Sequence, residues 1–498
     1  SMVANFTASG KRRRGDDMTP GGRNDRRPDR AVLVYSHLIR RCFKQTRPIV
    51  LGGIEAGLRR ISHFDAWSDR VRRSILFDAK ADYLLYGMAD RSVVELAQAL
   101  ARRADVHGIR GLCYISQQVP MPDDRFTEPD VRLPDHQQVC MDKAAFSRMF
   151  QDFYHHADPL RGSRLIQRQD TRYLIHNPPP LPPSARELDG IYELPYARDV
   201  HPIHQRAGRV KALDTIQFSL TTHRGCFGEC RFCAIAVHQG RQVVSRSRSS
   251  IVREARAMVS HPNFKGIISD VGGPTANMYG LNCRRAAAGK RCGARGCLFP
   301  HPCKQMAVDH TPQVALLTQL RQIPGIRRVF VGSGVRYDLI MLDRTAGVQY
   351  LETLLRHHVS GQLKIAPEHV HDPVLRLMGK PDPSILKAFL ARFEKVNARL
   401  AKPCYLTYYF MAAHPGCTLA DMRRLRTYAE SCLHLMPEQV QIFTPSPATY
   451  STLMYYTGID PFSGQALFVE KRLAGKTAQK AALGNTPRRK ERAGGWKR

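Results

Sequence analysis

The sequence predicts an α/β protein, and three observations predict it. From about residue 211 to 460, short apolar strands alternate with helical stretches, the pattern of a parallel sheet with helical crossovers. A weaker version of the same alternation occupies the first 110 residues. Near the start of the longer unit, between a strand and a helix, stand three cysteines in Cys226-Phe-Gly-Glu-Cys230-Arg-Phe-Cys233. A loop at the carboxyl end of a first strand is where α/β barrels place their chemistry.

The elements follow in chain order. Within residues 1–110, helical period covers 31–45, an apolar strand at 48–51 ends in the turn Gly52-Gly53, and a second strand at 83–87 leads into a helix at 92–103. Residues 111–210 read as a connecting region. They contain Asn177-Pro-Pro-Pro-Leu-Pro-Pro183, which must be extended and close to polyproline II, the composition of a rigid spacer. A ligand for a small adaptor domain is the competing reading of that run. Residues 211–465 carry candidate strands at 216–220, 266–271, 328–332, 362–366, 405–411 and 439–443, with a first helix at 250–260. An insertion at 276–311, rich in Gly, Arg and Pro, follows the second strand. Residues 466–498 are a basic tail: from Lys471 onward ten basic residues face Glu491 alone, which reads as a short helix and then a disordered end. No internal repeat is visible, so a solenoid is not expected.

The spacing C-x-x-x-C-x-x-C makes a tight tripod of thiolates with no fourth cysteine nearby. It arises by chance in on the order of one chain in a hundred of this composition. Three thiolates suit a cubane iron–sulfur cluster that normally takes four, leaving one iron open to a small molecule. An open position marks a metal site that does chemistry. A zinc site completed by His223 or His238, or three unrelated core cysteines, are the alternatives on spacing alone.

The tripod after a strand, with Phe232 before the last cysteine, resembles the radical S-adenosylmethionine (SAM) superfamily. Longer stretches resemble its uncharacterised YgiQ-type family: Arg47-Pro-Ile-Val-Leu-Gly-Gly-Ile-Glu-Ala56, Asp270-Val-Gly-Gly-Pro-Thr-Ala-Asn-Met-Tyr279, Gly332-Ser-Gly-Val-Arg-Tyr-Asp338, Leu363-Lys-Ile-Ala-Pro-Glu-His369 and Gln441-Ile-Phe-Thr-Pro-Ser-Pro447. The resemblance runs over residues 29–458. It implies a partial (β/α)6 radical SAM barrel, preceded by a fragment of a doubly wound α/β domain of the cobalamin-binding type. It implies a [4Fe–4S] cluster on Cys226, Cys230 and Cys233 with SAM on the open iron. An electron from the reduced cluster, supplied by a donor such as flavodoxin or ferredoxin, would cleave SAM reductively to methionine and a 5′-deoxyadenosyl radical. Such chemistry belongs to the cofactor, while the protein positions and shields it. No substrate is implied. Cobalamin is not expected, because Asp105-Val-His107 only approaches the D-x-H-x-x-G pattern: its glycine arrives one residue late, at Gly111.

The strand ends supply the expected SAM contacts. Gly272, Gly273, Pro274 and Thr275 follow the second strand and correspond to the Gly-rich segment that meets the SAM amino group. A simple turn is the plainer reading. Ser333, Arg336 and Asp338 follow the third strand, where a hydroxyl and a guanidinium suit ribose and carboxylate, with surface ion pairing as the alternative for Arg336 and Asp338. Lys364 and Glu368-His369 flank the fourth and are expected either at SAM or in a buried ion pair. His414 closes the fifth, at an adenine pocket or only a turn. Within the insertion, Cys283, Cys292, Cys297 and Cys303 make up four thiols, a set for an auxiliary iron–sulfur cluster or structural zinc. Cys42, Cys113, Cys140, Cys404, Cys417 and Cys432 are scattered and expected as buried thiols.

Composition bounds the function. No apolar run is long enough to span a bilayer, and the first residues lack a charged-then-apolar signal pattern. Grouped cysteines point to metal binding in a reducing compartment, so cytoplasm is expected. The formal net charge of +33 attracts polyanions and makes RNA a candidate partner, although no helix-turn-helix, zinc-finger or RNA-recognition signature is present. Three function classes follow: a radical SAM enzyme, a basic RNA-binding protein with structural metal sites, and an RNA-modifying radical SAM enzyme. The last is suggested by the likeness of 441–447 to the final strand of tRNA methylthiotransferase barrels.

Overall fold

The computed structural model describes residues 2–288, 296–434, 437 and 439–483. The N-terminal half is built on a six-stranded sheet in the order Val50–Leu51, Tyr83–Leu85, Leu112–Ser116, Arg172–His176, Leu165–Gln169, Val131–Arg132. Only the two outer pairs are parallel and the three inner pairings are antiparallel. The sheet is therefore mixed, not a fragment of a doubly wound parallel one. The stretch expected to connect, 111–210, contributes four of its six strands. It also contributes the helix Lys143–His155, whose first turn is capped by the Asp142 carboxylate accepting from the amides of Ala144 (2.8 Å) and Ala145 (3.0 Å). That helix buries Ala145, Phe146, Met149, Phe150 and Phe153, one face at helical spacing. The proline run lies against the turn after Leu85 and the turn before Leu112: a Cβ on Gly87 or Gly111, both at positive φ, would meet the Pro180 ring at 3.0 and 2.9 Å. Only glycine accepts that backbone at that distance.

In the second half, seven strand segments take part in parallel pairing among the described residues. Ser219–Thr221 pairs in parallel with Asp270–Gly272, and Ile267–Ile268 with Arg328–Val329. A parallel bridge joins Val335 to Ile365. Gln362–Glu368, Tyr405–Ala412 and Gln439–Ile442 form a parallel three-stranded sheet. Helices cross between them, the first being Arg248–Val259, capped by the Ser247 hydroxyl accepting from the Ser250 amide at 3.1 Å. The expected first strand starts late. Its leading residues wind into the turn Leu213–Ile216 and leave Ile216 exposed, while Leu220 is buried. Apolar alternation at 216, 218 and 220 looks the same in either conformation over so few residues.

Two cores result. The larger follows the second half. The other joins Ile49, Phe64, Leu84 and Phe150 of the first half to Val237, Phe443, Leu453 and Tyr455 of the second, so the halves share it. In the insertion, Asn282–Cys283 pairs antiparallel with Met306–Ala307. The helix Leu473–Leu483 within the expected basic tail docks on the core: Gln479 accepts from the Ala413 amide (2.8 Å) and donates to the Cys417 carbonyl (2.9 Å). Residues 484–498 lie outside the described residues. Among the described residues no helix is long and apolar enough to cross a membrane.

Candidate functional site

The cysteine loop is held by backbone that tolerates no side chain. Gly225 has φ of 80°, and a Cβ there would stand 1.8 Å from the Gln242 carbonyl oxygen. The loop then turns through Gly228, where a Cβ would stand 2.6 Å from Arg336 Nη1, and through Glu229 at φ of 42°. Beneath it Phe227 is buried with Met278, Leu281, Cys283, Leu298 and Leu339, so the insertion packs directly on the loop.

Cys226, Cys230 and Cys233 are free thiols and line one cavity of ≈ 140 Å³. Pro274, Thr275, Arg336, Asp338 and Glu368 line it too. Of the other expected contacts, Gly272, Gly273, Ser333 and Lys364 do not. Gly273 is needed for packing: a Cβ there would meet the His223 ring at 2.6 Å and its carbonyl oxygen at 2.7 Å. The Ser333 hydroxyl is bonded to Asp270, whose carboxylate also takes the amides of Gly332 (2.8 Å) and Ser333 (3.1 Å). Lys364 donates to the Gly332 carbonyl at 2.9 Å and braces the sheet. Asp338 takes two hydrogen bonds from Arg336, at 3.0 and 2.5 Å, and Arg336 Nη1 reaches Cys230 Sγ at 3.5 Å. The pair is buried, not superficial.

Electrostatics follow from that burial. For Arg336 burial opposes the charge, but Asp338 and the sulfurs of Cys230 and Cys226 outweigh it and raise its pKa. Burial pushes the Cys233 thiol up to about 12, reinforced by Cys230, and raises Cys226 against the pull of Arg336. Loading a metal here must therefore displace protons. Glu368, at φ of 68° beside a register shift, has its pKa raised by burial, with Lys380 working against it.

Behind Arg336 runs a buried polar chain. Asn277 accepts from the Arg336 amide (2.8 Å) and donates to its carbonyl (3.0 Å) and to His310 Nε2 (3.2 Å). His310 Nε2 must then be the acceptor, so the ring proton sits on Nδ1, 2.7 Å from Asp343 Oδ2. Asp343 also accepts from the amides of His310, Thr345 and Ala346. Lys380, donating to the Ala366 carbonyl at 2.6 Å, joins the cavity from the far end of the helix Asp372–Met378. None of these four was expected from the sequence. His369 and His414 are buried away from the cavity, the latter bonded to Ser451 at 2.7 Å.

Among the described residues no group of three or more His, Cys, Asp or Glu side chains is placed to hold a single metal ion. No zinc site completed by His223 or His238 is formed, and Cys283, Cys297 and Cys303 do not converge on one. Cys283 is instead buried in the apolar cluster under the loop, and Cys303 donates its amide to the Cys297 carbonyl at 2.8 Å. Cys292 lies outside the described residues. The loop thiols share one cavity, and three thiolates are a donor set that a cubane, each of whose irons takes one thiolate, can use. Of the scattered thiols, Cys113, Cys404 and Cys417 are buried, whereas Cys42, Cys140 and Cys432 are exposed.

This is a radical SAM protein: the family model for the radical SAM N-terminal region matches residues 1–219, and the three-cysteine loop follows it. The chain is 52% identical over 493 residues to a UPF0313 protein of Fusobacterium nucleatum, covering 99% of this chain and 85% of that one. It is 45% identical over 486 residues to a UPF0313 protein of Methanocella arvoryzae, covering 97% and 79%. The chain belongs to the UPF0313 family. Among solved structures it is similar to the radical SAM methyltransferase TsrM of Kitasatospora setae with cobalamin and a [4Fe–4S] cluster bound, at TM-score 0.44 and 13% identity over 84% of this chain and 60% of that one. It is also similar to the cobalamin-dependent radical SAM enzyme OxsB with aqua-cobalamin bound, at TM-score 0.45 and 12% identity over 85% and 44%.

Proposed function

We propose that this protein is a radical SAM enzyme whose Cys226, Cys230 and Cys233 hold a [4Fe–4S] cluster, and whose parallel strand segments form a partial (β/α)6 barrel around it. The observation that carries the reading is the single cavity lined by the three thiols together with Pro274, Thr275, Arg336 and Glu368. When bound, the cluster supplies one electron, received from a donor of the flavodoxin or ferredoxin class, that breaks a carbon–sulfur bond of SAM to give methionine and a 5′-deoxyadenosyl radical able to take hydrogen from a substrate.

The chain's own residues bind, balance and shield. Arg336, fixed by Asp338, places a permanent positive charge against Cys230 and offsets the charge of the thiolates. Gly228 gives its guanidinium room to approach. Pro274 and Thr275 present strand-end backbone to the SAM amino group, with the Thr275 hydroxyl 3.6 Å from Cys226 Sγ. Glu368, made easier to protonate by burial, offers a hydrogen-bonding partner to ribose or amine. Phe227 and its apolar neighbours keep water from the underside of the loop. His107, of the incomplete D-x-H-x-x-G pattern, pairs with Asp105 at 2.8 Å and lies tilted against Tyr114.

The test is anaerobic. Reconstituted protein, reduced and given SAM, releases 5′-deoxyadenosine and methionine, and Cys230→Ala abolishes the release. A variant that keeps the full cleavage rate removes the tripod from the chemistry.

A further inference from the structure

A second, larger cavity of ≈ 390 Å³ lies against the cysteine loop and shares Glu229 with the thiol-lined one. It opens where the helix Lys143–His155 of the first half meets the helix Tyr450–Thr457 of the second. One wall is aromatic. Tyr154, Tyr450 and Phe462 stand in series, with ring centroids 4.5 and 4.9 Å apart. Guanidinium groups flank the rings, Arg241 4.2 Å from Tyr154 and Arg231 3.6 Å from Phe462.

The two arginines are in different states. Arg241 is engaged: it pairs with Glu229 at 2.9 Å and donates to the Tyr154 carbonyl at 2.7 Å. Arg231 gives one hydrogen to the Arg376 carbonyl at 3.0 Å and makes no ion pair among the described residues. Arg161 lines the same space with no side-chain hydrogen bond or ion pair among them. Besides Glu229, the carboxylates of Asp152 and Asp158 line it, along with Gln151, His155 and Phe299; Asp158 accepts from the Leu160 amide at 2.8 Å, and its second oxygen takes no hydrogen bond among the described residues.

Each simpler ligand leaves part of this lining unmet. An inorganic anion has no use for three rings and is repelled by the two aspartates. An apolar molecule strands the free guanidinium donors. A nucleotide answers all three features. Its base stacks on aromatic faces whatever its identity, its phosphate takes guanidinium donors, and its ribose hydroxyls donate to carboxylates. The volume lies within the ordinary range of small-molecule sites, and the net charge of +33 draws phosphates toward the chain.

We propose that this cavity binds a nucleoside monophosphate, either free or as one residue of a single-stranded RNA. The proposal goes beyond SAM cleavage and does not depend on it. Calorimetric titration of the full chain with UMP, and fluorescence anisotropy with an end-labelled hexauridylate, test it; a pyrimidine probe avoids the adenosine site expected for SAM. Two variants read the cavity, Phe462→Ala, whose ring is half-exposed, and Arg161→Gln. UMP binds saturably, and each variant weakens it about tenfold or more, without moving the melting midpoint. Hexauridylate displaced by UMP identifies RNA as the source, and UMP binding without hexauridylate binding identifies the free nucleotide. Cys230→Ala retains UMP binding, which separates this site from the cluster. Hexauridylate binding that is indifferent to UMP and to both substitutions likewise leaves the free nucleotide as the source, and the proposal is overturned if UMP does not bind or if both variants bind it as tightly as the unsubstituted protein.

Discussion

Asn277→Ala is the substitution from which most can be calculated. The side chain is fully buried and satisfies three groups that take no other hydrogen bond among the described residues: the Arg336 amide, the Arg336 carbonyl and His310 Nε2. A buried group left unpaired costs about 1–3 kcal/mol. Three such groups at the low end of that range give about 3 kcal/mol, after allowing for water that enters the vacated space. A free-energy change of about 3 kcal/mol is more than a hundredfold in the local opening constant. A chain of this size need not unfold in one step, so a local effect is read at the site itself. Hydrogen exchange followed by mass spectrometry on the peptide carrying Arg336 reports the local constant directly. Protection there should fall by roughly two orders of magnitude, while peptides of the N-terminal sheet keep theirs. A loss under about threefold would mean that the chain from Asp343 to Asn277 does not fix Arg336, and the argument would fail at its first step.

Two other outcomes follow. Gly273→Ala must push a methyl to within 2.6 Å of the His223 ring and 2.7 Å of its backbone oxygen, so it should lower stability by about 2 kcal/mol or more, whereas Gly190→Ala, in the helix Ala185–Tyr192 with nothing within 4 Å, should be neutral or stabilising by up to about 1 kcal/mol; thermal melting of the pair checks this. For Asp343, burial alone would raise the pKa, but hydrogen bonds from the His310 ring and three amides bring it down to about 2. Because the folded value lies below the unfolded one, its stabilisation is complete above about pH 4 and is lost as pH falls toward 2; the stability gap between the protein and Asp343→Asn should shrink by about 2 kcal/mol across that window, measured by denaturant titration.

The second half was legible in sequence because its strands are apolar runs that end in chemistry-bearing residues. Gln362–Glu368 and Tyr405–Ala412 begin where their patterns begin. In the first half the helices and strands of 31–103 were legible too, but the strands of 111–210 were not. Arg172–His176 has two apolar residues between charged or polar ends, and the prolines after it suggested a spacer where the chain in fact lies on Gly87 and Gly111. At the site, the cysteine spacing announced itself, and strand-end position together with the family resemblance pointed to Pro274, Thr275, Arg336 and Glu368. The same rule also pointed to Ser333 and Lys364, which the fold uses as braces, since position does not say whether a polar side chain finds a partner inside the protein. Asn277, His310 and Asp343 lie far apart in the chain and each looks like any polar residue. Lys380 arrives from the end of a helix that carries no motif. Only tertiary structure brings such residues together.

The core shared between Ile49–Leu174 residues and Phe443–Tyr455 residues has a consequence for biosynthesis. The part of the chain that leaves the ribosome first cannot seal its apolar interior until nearly the last part has emerged. Contacts of such sequence separation close slowly, because the intervening loop must first be brought to order. For most of translation, Phe64 and Phe150 lack the rings of Tyr455 and Tyr456, and of Tyr450, that later pack against them. The nascent N-terminal sheet therefore waits with an uncovered face, a natural client for a holding chaperone, and severing the chain between its halves should yield two fragments that aggregate rather than two domains that fold.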